Sequence, residues 1–128
     1  MNIEQEKWTE FTQQYISRTW FRHPVQEEYN PVGYFKDSLG IVHLRGVLQN
    51  IALGAQREEE IFRLPEGYRP ASRELHIVFV TDVLGTAAFA RVDITKDGAV
   101  RVINPAALGV GASPPWLSLD GITFRAAG

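Results

Sequence analysis

The feature that most constrains the fold is the regular interruption of short apolar segments by turn residues after Pro31. Seven segments alternate apolar and polar residues, or run apolar with β-branched residues, as strands do. They span 32–36, 41–48, 61–64, 74–83, 86–95, 99–103 and 116–124, and the last of them either continues through Asp120-Gly121 or breaks there. Between the last two of these lies a Gly-, Ala- and Pro-rich loop at 104–115. Because no helical pattern separates the strands, the sequence predicts an antiparallel β-sandwich or barrel rather than βαβ units.

Two of these segments carry more specific information. Lys96-Asp97-Gly98 lies between two of them, and Asp-Gly is one of the strongest hairpin signals. Segment 74–83 is almost continuously apolar, which indicates burial on both faces, by the opposite sheet and by a partner chain. We expect Val78 or Val80 to face that partner.

The N-terminal segment has a different pattern. Residues 2–22 are rich in Glu, Gln and Lys, and Trp8, Phe11 and Tyr15 recur at i, i+3 and i+7. This spacing predicts an amphipathic helix that ends before Pro24. Its aromatic face would pack either on its own domain or on a neighbouring subunit. The predicted division is a helical attachment at 1–28 and a β-sandwich at 29–128, which should stay folded when residues 1–23 are deleted.

Composition excludes several classes of function. The chain has 128 residues, a formal net charge of −2 and no cysteine. Disulfides, thiolate metal sites and a cysteine nucleophile are therefore excluded. A weak net charge with dispersed basic residues argues against nucleic-acid binding. No apolar run reaches the roughly 18 residues of a membrane helix, so no membrane insertion is expected. The acidic, polar N-terminus differs from a signal peptide.

Several phrases, taken in order, carry a family resemblance. They are Tyr34-Phe35-Lys36-Asp37 with Gly40, Val42-His43-Leu44-Arg45-Gly46, Leu64-Pro65-Glu66-Gly67-Tyr68-Arg69-Pro70, Arg91-Val92-Asp93, Asp97-Gly98 and Trp116-Leu117-Ser118-Leu119-Asp120-Gly121-Ile122-Thr123-Phe124-Arg125. Over residues 30–126 the chain resembles the C-terminal β domain of phage tail fibre and tail-tip proteins.

The resemblance implies a compact, jelly-roll-like β-sandwich that forms a homotrimer at a fibre tip and contacts a cell surface, with a surface glycan as receptor. Its partners would be other proteins of a virion tail or of a phage-derived contractile injection particle. The family has no catalytic motif, so the chain is expected not to be an enzyme and to need no cofactor. The alternative is a purely structural adaptor docked through the N-terminal helix.

Candidate ligand-binding residues are few. Sugars stack on exposed aromatic rings, which makes Trp116, after Pro114-Pro115, the first candidate and Tyr68 with Arg69 the second. Each has a structural alternative: Trp116 as a core or interface anchor, and Tyr68 and Arg69 as parts of a turn in which Arg69 donates to free carbonyl groups.

Metal and hydrolase sites are not predicted. His23, His43 and His76 are isolated from one another, whereas a metal needs several convergent ligands. Glu58-Glu59-Glu60 is typical of a solvated charge run, and no pair of carboxylates can be placed in one cleft from the sequence.

Overall fold

The computed structural model describes residues 5–17, 20–22, 28–50, 58–81, 87–103 and 116–128. Within them lie eleven strands and one turn of 3-10 helix, Gln13–Tyr15. The strands are β1 (Thr9–Glu10), β2 (Trp20–Arg22), β3 (Gly33–Lys36), β4 (Ile41–Arg45), β5 (Val47–Asn50), β6 (Glu58–Arg63), β7 (Glu74–Thr81), β8 (Ala87–Ile94), β9 (Ala99–Ile103), β10 (Trp116–Ser118) and β11 (Thr123–Arg125).

The strands form two antiparallel sheets. One has four strands in the order β1-β3-β4-β11, and the other has seven in the order β2-β5-β10-β7-β8-β9-β6. Buried side chains from both sheets join in one hydrophobic cluster. Phe11 connects them, because its ring lies 5.2 Å from Tyr34 of the small sheet and 4.2 Å from Phe62 of the large one. The mainly β, antiparallel fold class predicted from the sequence is confirmed.

The Asp-Gly hairpin is also confirmed. Gly98 has a φ of 87°, and its N–H donates to the Thr95 carbonyl over 2.9 Å. The turn joins β8 to β9, which pair in register from Ile94 opposite Val100. Glycine suits this left-handed position because it has no Cβ, whereas the Cβ of any other residue would crowd the backbone there.

Two of the predicted segments pass from one sheet to the other. Segment 41–48 divides at Gly46, whose φ of 122° turns the chain from β4 into β5. Segment 116–124 divides at the Asp120-Gly121 turn between β10 and β11. The Asp120 carboxylate accepts the Gly46 N–H over 2.8 Å, so the two crossings support each other at one corner of the molecule.

The predicted N-terminal helix is wrong for the described residues. They form β1, the 3-10 turn and β2 instead. The backbone N–H groups of Phe11 and Ser17 donate to the carbonyls of Val32 and Ile61, so long-range bonds replace those within a helix. Trp20 is fully buried, and its indole Nε1 donates to Glu59 over 2.8 Å. Tertiary pairing has overridden a helical spacing pattern.

The segment predicted as an attachment thus contributes to both sheets. β1 pairs with β3 at the edge of the small sheet, and β2 pairs with β5 at the edge of the large sheet. Its further role as an attachment stays a prediction. Within the part of the chain that the structure describes, no helix is long and apolar enough to cross a membrane.

Candidate functional site

The outer surface of the large sheet exposes large apolar side chains on two neighbouring strands. Leu75, Ile77 and Phe79 of β7 are 60%, 80% and 50% exposed, and Phe89 of β8 is 81% exposed. Phe79 lies directly opposite Phe89 in the register of the two strands. We call these four side chains the apolar face. Soluble proteins rarely expose such a cluster unless it binds something.

The two residues that the sequence analysis assigned to a partner are not on this face. Val78 and Val80 are 5% and 0% exposed and belong to the core between the sheets. The assignment of these two side chains to an interface is therefore wrong. A strand presents alternate residues to opposite sides of a sheet. The prediction therefore placed the outward-facing residues of β7 one position away from where they lie. A continuously apolar run indicates two covered faces but does not tell which side chains belong to each.

A cluster of ion pairs borders the apolar face. Asp93 is fully buried, and its carboxylate accepts hydrogen bonds from Arg73 Nε over 2.7 Å and Arg91 Nε over 2.8 Å. Arg73 also donates to Glu58 over 2.8 Å. Burial raises the pKa of Asp93, but the hydrogen bonds from Arg91 and Arg73 outweigh it and hold the pKa below its usual value. The charges of this cluster are balanced within one chain.

This cluster predicts stability that is lost in acid. Because the folded-state pKa of Asp93 is lowered, its contribution is complete above the ordinary value of 3.8 and is lost as the pH falls through the lower folded value. The substitution Asp93→Asn should lower the free energy of unfolding near pH 7 by about 1–2 kcal/mol, since both arginines are partly exposed. Denaturant titrations should show this difference shrinking below about pH 4. A difference that stays constant in acid would contradict the assignment.

Trp116, the first ligand candidate, lies at the other border of the apolar face. Its ring is half-buried and meets the ring of Tyr29 edge-on at 5.8 Å. The two rings line a cleft of about 200 Å³ together with Val47, Phe79 and Asp120. Because Phe79 belongs to both surfaces, this position fits an interface anchor as well as a ligand platform.

Tyr68 and Arg69 lie elsewhere, on the turn that follows β6. The Tyr68 hydroxyl donates to Glu6 over 2.8 Å, and its ring lies 5.0 Å from that of Tyr34. The hydrogen bond to Glu6, with burial, raises the pKa of Tyr68 to about 12. Arg69 Nε donates to the Leu64 carbonyl over 2.8 Å, which confirms the predicted contact with a turn carbonyl. The structure thus separates this pair from the Trp116 cleft.

A larger cavity, missed by the sequence analysis, opens between the edges of the two sheets. It has a volume of about 440 Å³ and a mostly apolar lining. Its lining includes Glu10, Phe11, Tyr15, Tyr34, Arg63 and Arg69. We call it the edge pocket. Arg69 is the one predicted ligand residue found here, and Phe11 and Tyr15 were placed on a helix face instead. The lining comes from three segments that are distant in sequence, 9–15, Tyr34 and 63–69, so no local motif marks it.

The histidines take separate positions. His43 on β4 stacks on Phe35 at 4.6 Å and makes a 2.9 Å hydrogen bond with Asp37 through Nε2. That bond, with the backbone bond from Ile41, lowers the pKa of Asp37. His76 lies on β7 in the other sheet, and His23 lies outside the described residues. Among the described residues, no group of three or more His, Cys, Asp or Glu side chains is arranged to hold a metal ion.

Two antiparallel sheets joined by a shared corner and one core define the class of this fold. It is similar to the fold of a phage receptor-binding protein of known structure. The particular structure that it resembles is the receptor binding protein (gp15) of Listeria phage PSA, with a TM-score of 0.63. The match covers 99% of this chain and 67% of that chain at 14% sequence identity, so the likeness is one of fold. No family model and no curated protein matches the sequence.

Proposed function

We propose that this chain is a non-catalytic receptor-binding module of a phage tail or of a phage-derived tail-like particle. The observation that carries the proposal is the fold shared with a phage receptor binding protein over 99% of the chain. A fold alone does not fix a function. The surfaces of the described residues add to it, because they include one large apolar face and two concave sites with exposed aromatic rings.

The apolar face is proposed to be covered by identical copies of the chain, in a homotrimer. Its four side chains lie on two adjacent strands and form one surface. The neighbouring carboxylates of Asp93 and Glu58 are paired with arginines of the same chain, so this border offers no uncompensated charge to an oppositely charged partner. A neutral, apolar face can pack against the apolar surfaces of identical copies around a symmetry axis, as is typical of homo-oligomers, and the proposed number of three copies follows the resemblance to tail-fibre tips.

The receptor is proposed to be a glycan on the cell surface. Pyranose rings present apolar C–H groups on one side and hydroxyl groups at the rim. A binding site for them combines an aromatic ring with forked donors and carboxylate acceptors. Both concave sites hold aromatic side chains with a carboxylate nearby: Trp116 with Asp120 in one, and Tyr15 with Glu10 in the other.

Antibodies raised against the purified chain test this function. If the chain is a receptor-binding module, gold-labelled antibody will mark the distal end of tail particles purified from the source strain. Antibody fragments will also block attachment of those particles to susceptible cells. Labelling elsewhere on the tail, with attachment unaffected, would overturn the proposal.

Labelling elsewhere on the tail, with attachment unaffected, would instead favour the structural adaptor. The adaptor as first predicted docks through a helix that carries Trp8, Phe11 and Tyr15. Phe11 lies in the core, and Trp8 packs on Phe35 of its own chain with ring centroids 4.5 Å apart. An adaptor would therefore need a surface other than this aromatic set.

A further inference from the structure

The edge pocket has an apolar floor and one projecting aromatic ring. Phe11 and Tyr34 pack against each other at 5.2 Å and are buried. Tyr15 lines the same pocket and is 65% exposed. An exposed ring beside a buried apolar floor suits a ligand with one apolar side. The volume of about 440 Å³ falls within the usual range for small-molecule sites.

Donor and acceptor side chains line the same pocket as that ring. Arg69 is oriented by the bond from its Nε to the Leu64 carbonyl, and it forms no ion pair with any described residue. Arg63 donates to Glu60 over 2.8 Å, and the exposed Glu10 adds a carboxylate at the rim. Neighbouring hydroxyl groups of a sugar can accept from a guanidinium and donate to a carboxylate at the same time.

The charges of the pocket determine which sugar fits. Arg63 is paired with Glu60, which Arg101 also contacts at 3.5 Å, and the other two charges of the lining, Arg69 and Glu10, have opposite signs. An anionic ligand would be repelled by the carboxylates, and a cationic ligand would be repelled by the guanidinium groups. A neutral, hydroxylated ring satisfies both kinds of group.

We propose that the edge pocket is the glycan site, and that it binds a neutral hexopyranose unit with the ring stacked on Tyr15. Arg69 donates to its hydroxyl groups and Glu10 accepts from them. This inference rests on the proposed receptor-binding function and places the receptor contact here rather than in the Trp116 cleft.

Titration of the full chain with neutral methyl glycosides tests the site. The probes are the methyl glycosides of glucose, galactose, N-acetylglucosamine and rhamnose, followed by saturation-transfer NMR. At least one should bind, and Tyr15→Ala should weaken it about tenfold or more, equivalent to roughly 1.4 kcal/mol. The matched controls Tyr15→Phe and Trp116→Ala should stay within about twofold of the unmodified protein. Unchanged binding by Tyr15→Ala, or loss with Trp116→Ala alone, would overturn the assignment.

A second variant and a charged probe make the test independent of folding. Glu10→Gln lies on an exposed strand end and should also weaken binding with an unchanged melting temperature. Methyl glucuronide should bind more weakly than the neutral glycosides, and tighter binding would overturn the neutral assignment. If the chain adsorbs to cells but binds none of the four neutral glycosides, the pocket assignment fails while the receptor-binding function stands. Glycoside binding without adsorption would overturn the function instead.

Discussion

Replacing Phe89 with glutamate should convert the proposed trimer into a folded monomer. Phe89 is 81% exposed in the single chain, so a charged side chain there meets water and leaves the core unchanged. In an assembly through the apolar face, the same charge would be buried against Phe79 and its copies without a partner. Central interface residues contribute about 2 kcal/mol or more, which is roughly 30-fold in affinity. Light scattering should show the mass falling from three copies to one.

Leu39→Glu provides the matched control for that substitution. Leu39 is 77% exposed but lies in the turn between β3 and β4 of the small sheet, away from the apolar face. It should leave the mass of the assembly unchanged. A trimeric mass that survives Phe89→Glu, or a stable monomer of the unmodified chain at micromolar concentration, would contradict the proposed interface.

Trp20→Ala should have the largest effect on stability, lowering the free energy of unfolding by about 3–5 kcal/mol. Trp20 is fully buried in the core cluster, so its loss leaves a cavity there. It also removes the hydrogen bond to Glu59. Urea denaturation measures the change. It is followed by far-ultraviolet circular dichroism, because the variant lacks a tryptophan and its fluorescence is not comparable. Tyr15→Ala, at an exposed position of the same segment, should stay within about 0.5 kcal/mol of the unmodified protein.

The same reasoning applies to deletion of residues 1–23. The sequence led to the expectation that the β domain stays folded without them. In the structure, that deletion removes β1, β2 and the core side chains of Phe11, Ile16 and Trp20. We therefore expect the shortened chain to lose cooperative unfolding. A shortened chain that melts cooperatively at the temperature of the full chain would show that the N-terminal strands are an accessory.

The β-strands themselves were largely predictable from the sequence, because turn chemistry and period-two alternation act locally. The Asp-Gly hairpin is the clearest example, since the left-handed Gly98 is required wherever this turn forms. Sheet membership was not predictable. The division at Gly46 depends on Asp120, a residue 74 positions away, whose carboxylate holds the turned backbone.

The failures at the candidate sites have related causes. The spacing of Trp8, Phe11 and Tyr15 is helical. In the structure, however, Trp8 packs on the small sheet, Phe11 lies in the core and Tyr15 is exposed. Local spacing does not reveal that β3 and β5 are available to pair with strands of the N-terminal segment. The phase of β7 was misassigned because Leu75 to Val80 is apolar on both sides apart from His76, and the distinction depends on which side the small sheet covers.

The most direct test of receptor binding is the adsorption of the fluorescently labelled full chain to a panel of bacterial strains. On at least one strain, binding should saturate and be displaced by excess unlabelled chain. Adsorption that rises linearly with concentration and resists displacement on every strain, including the strain from which the particles are purified, would contradict receptor binding by this fold.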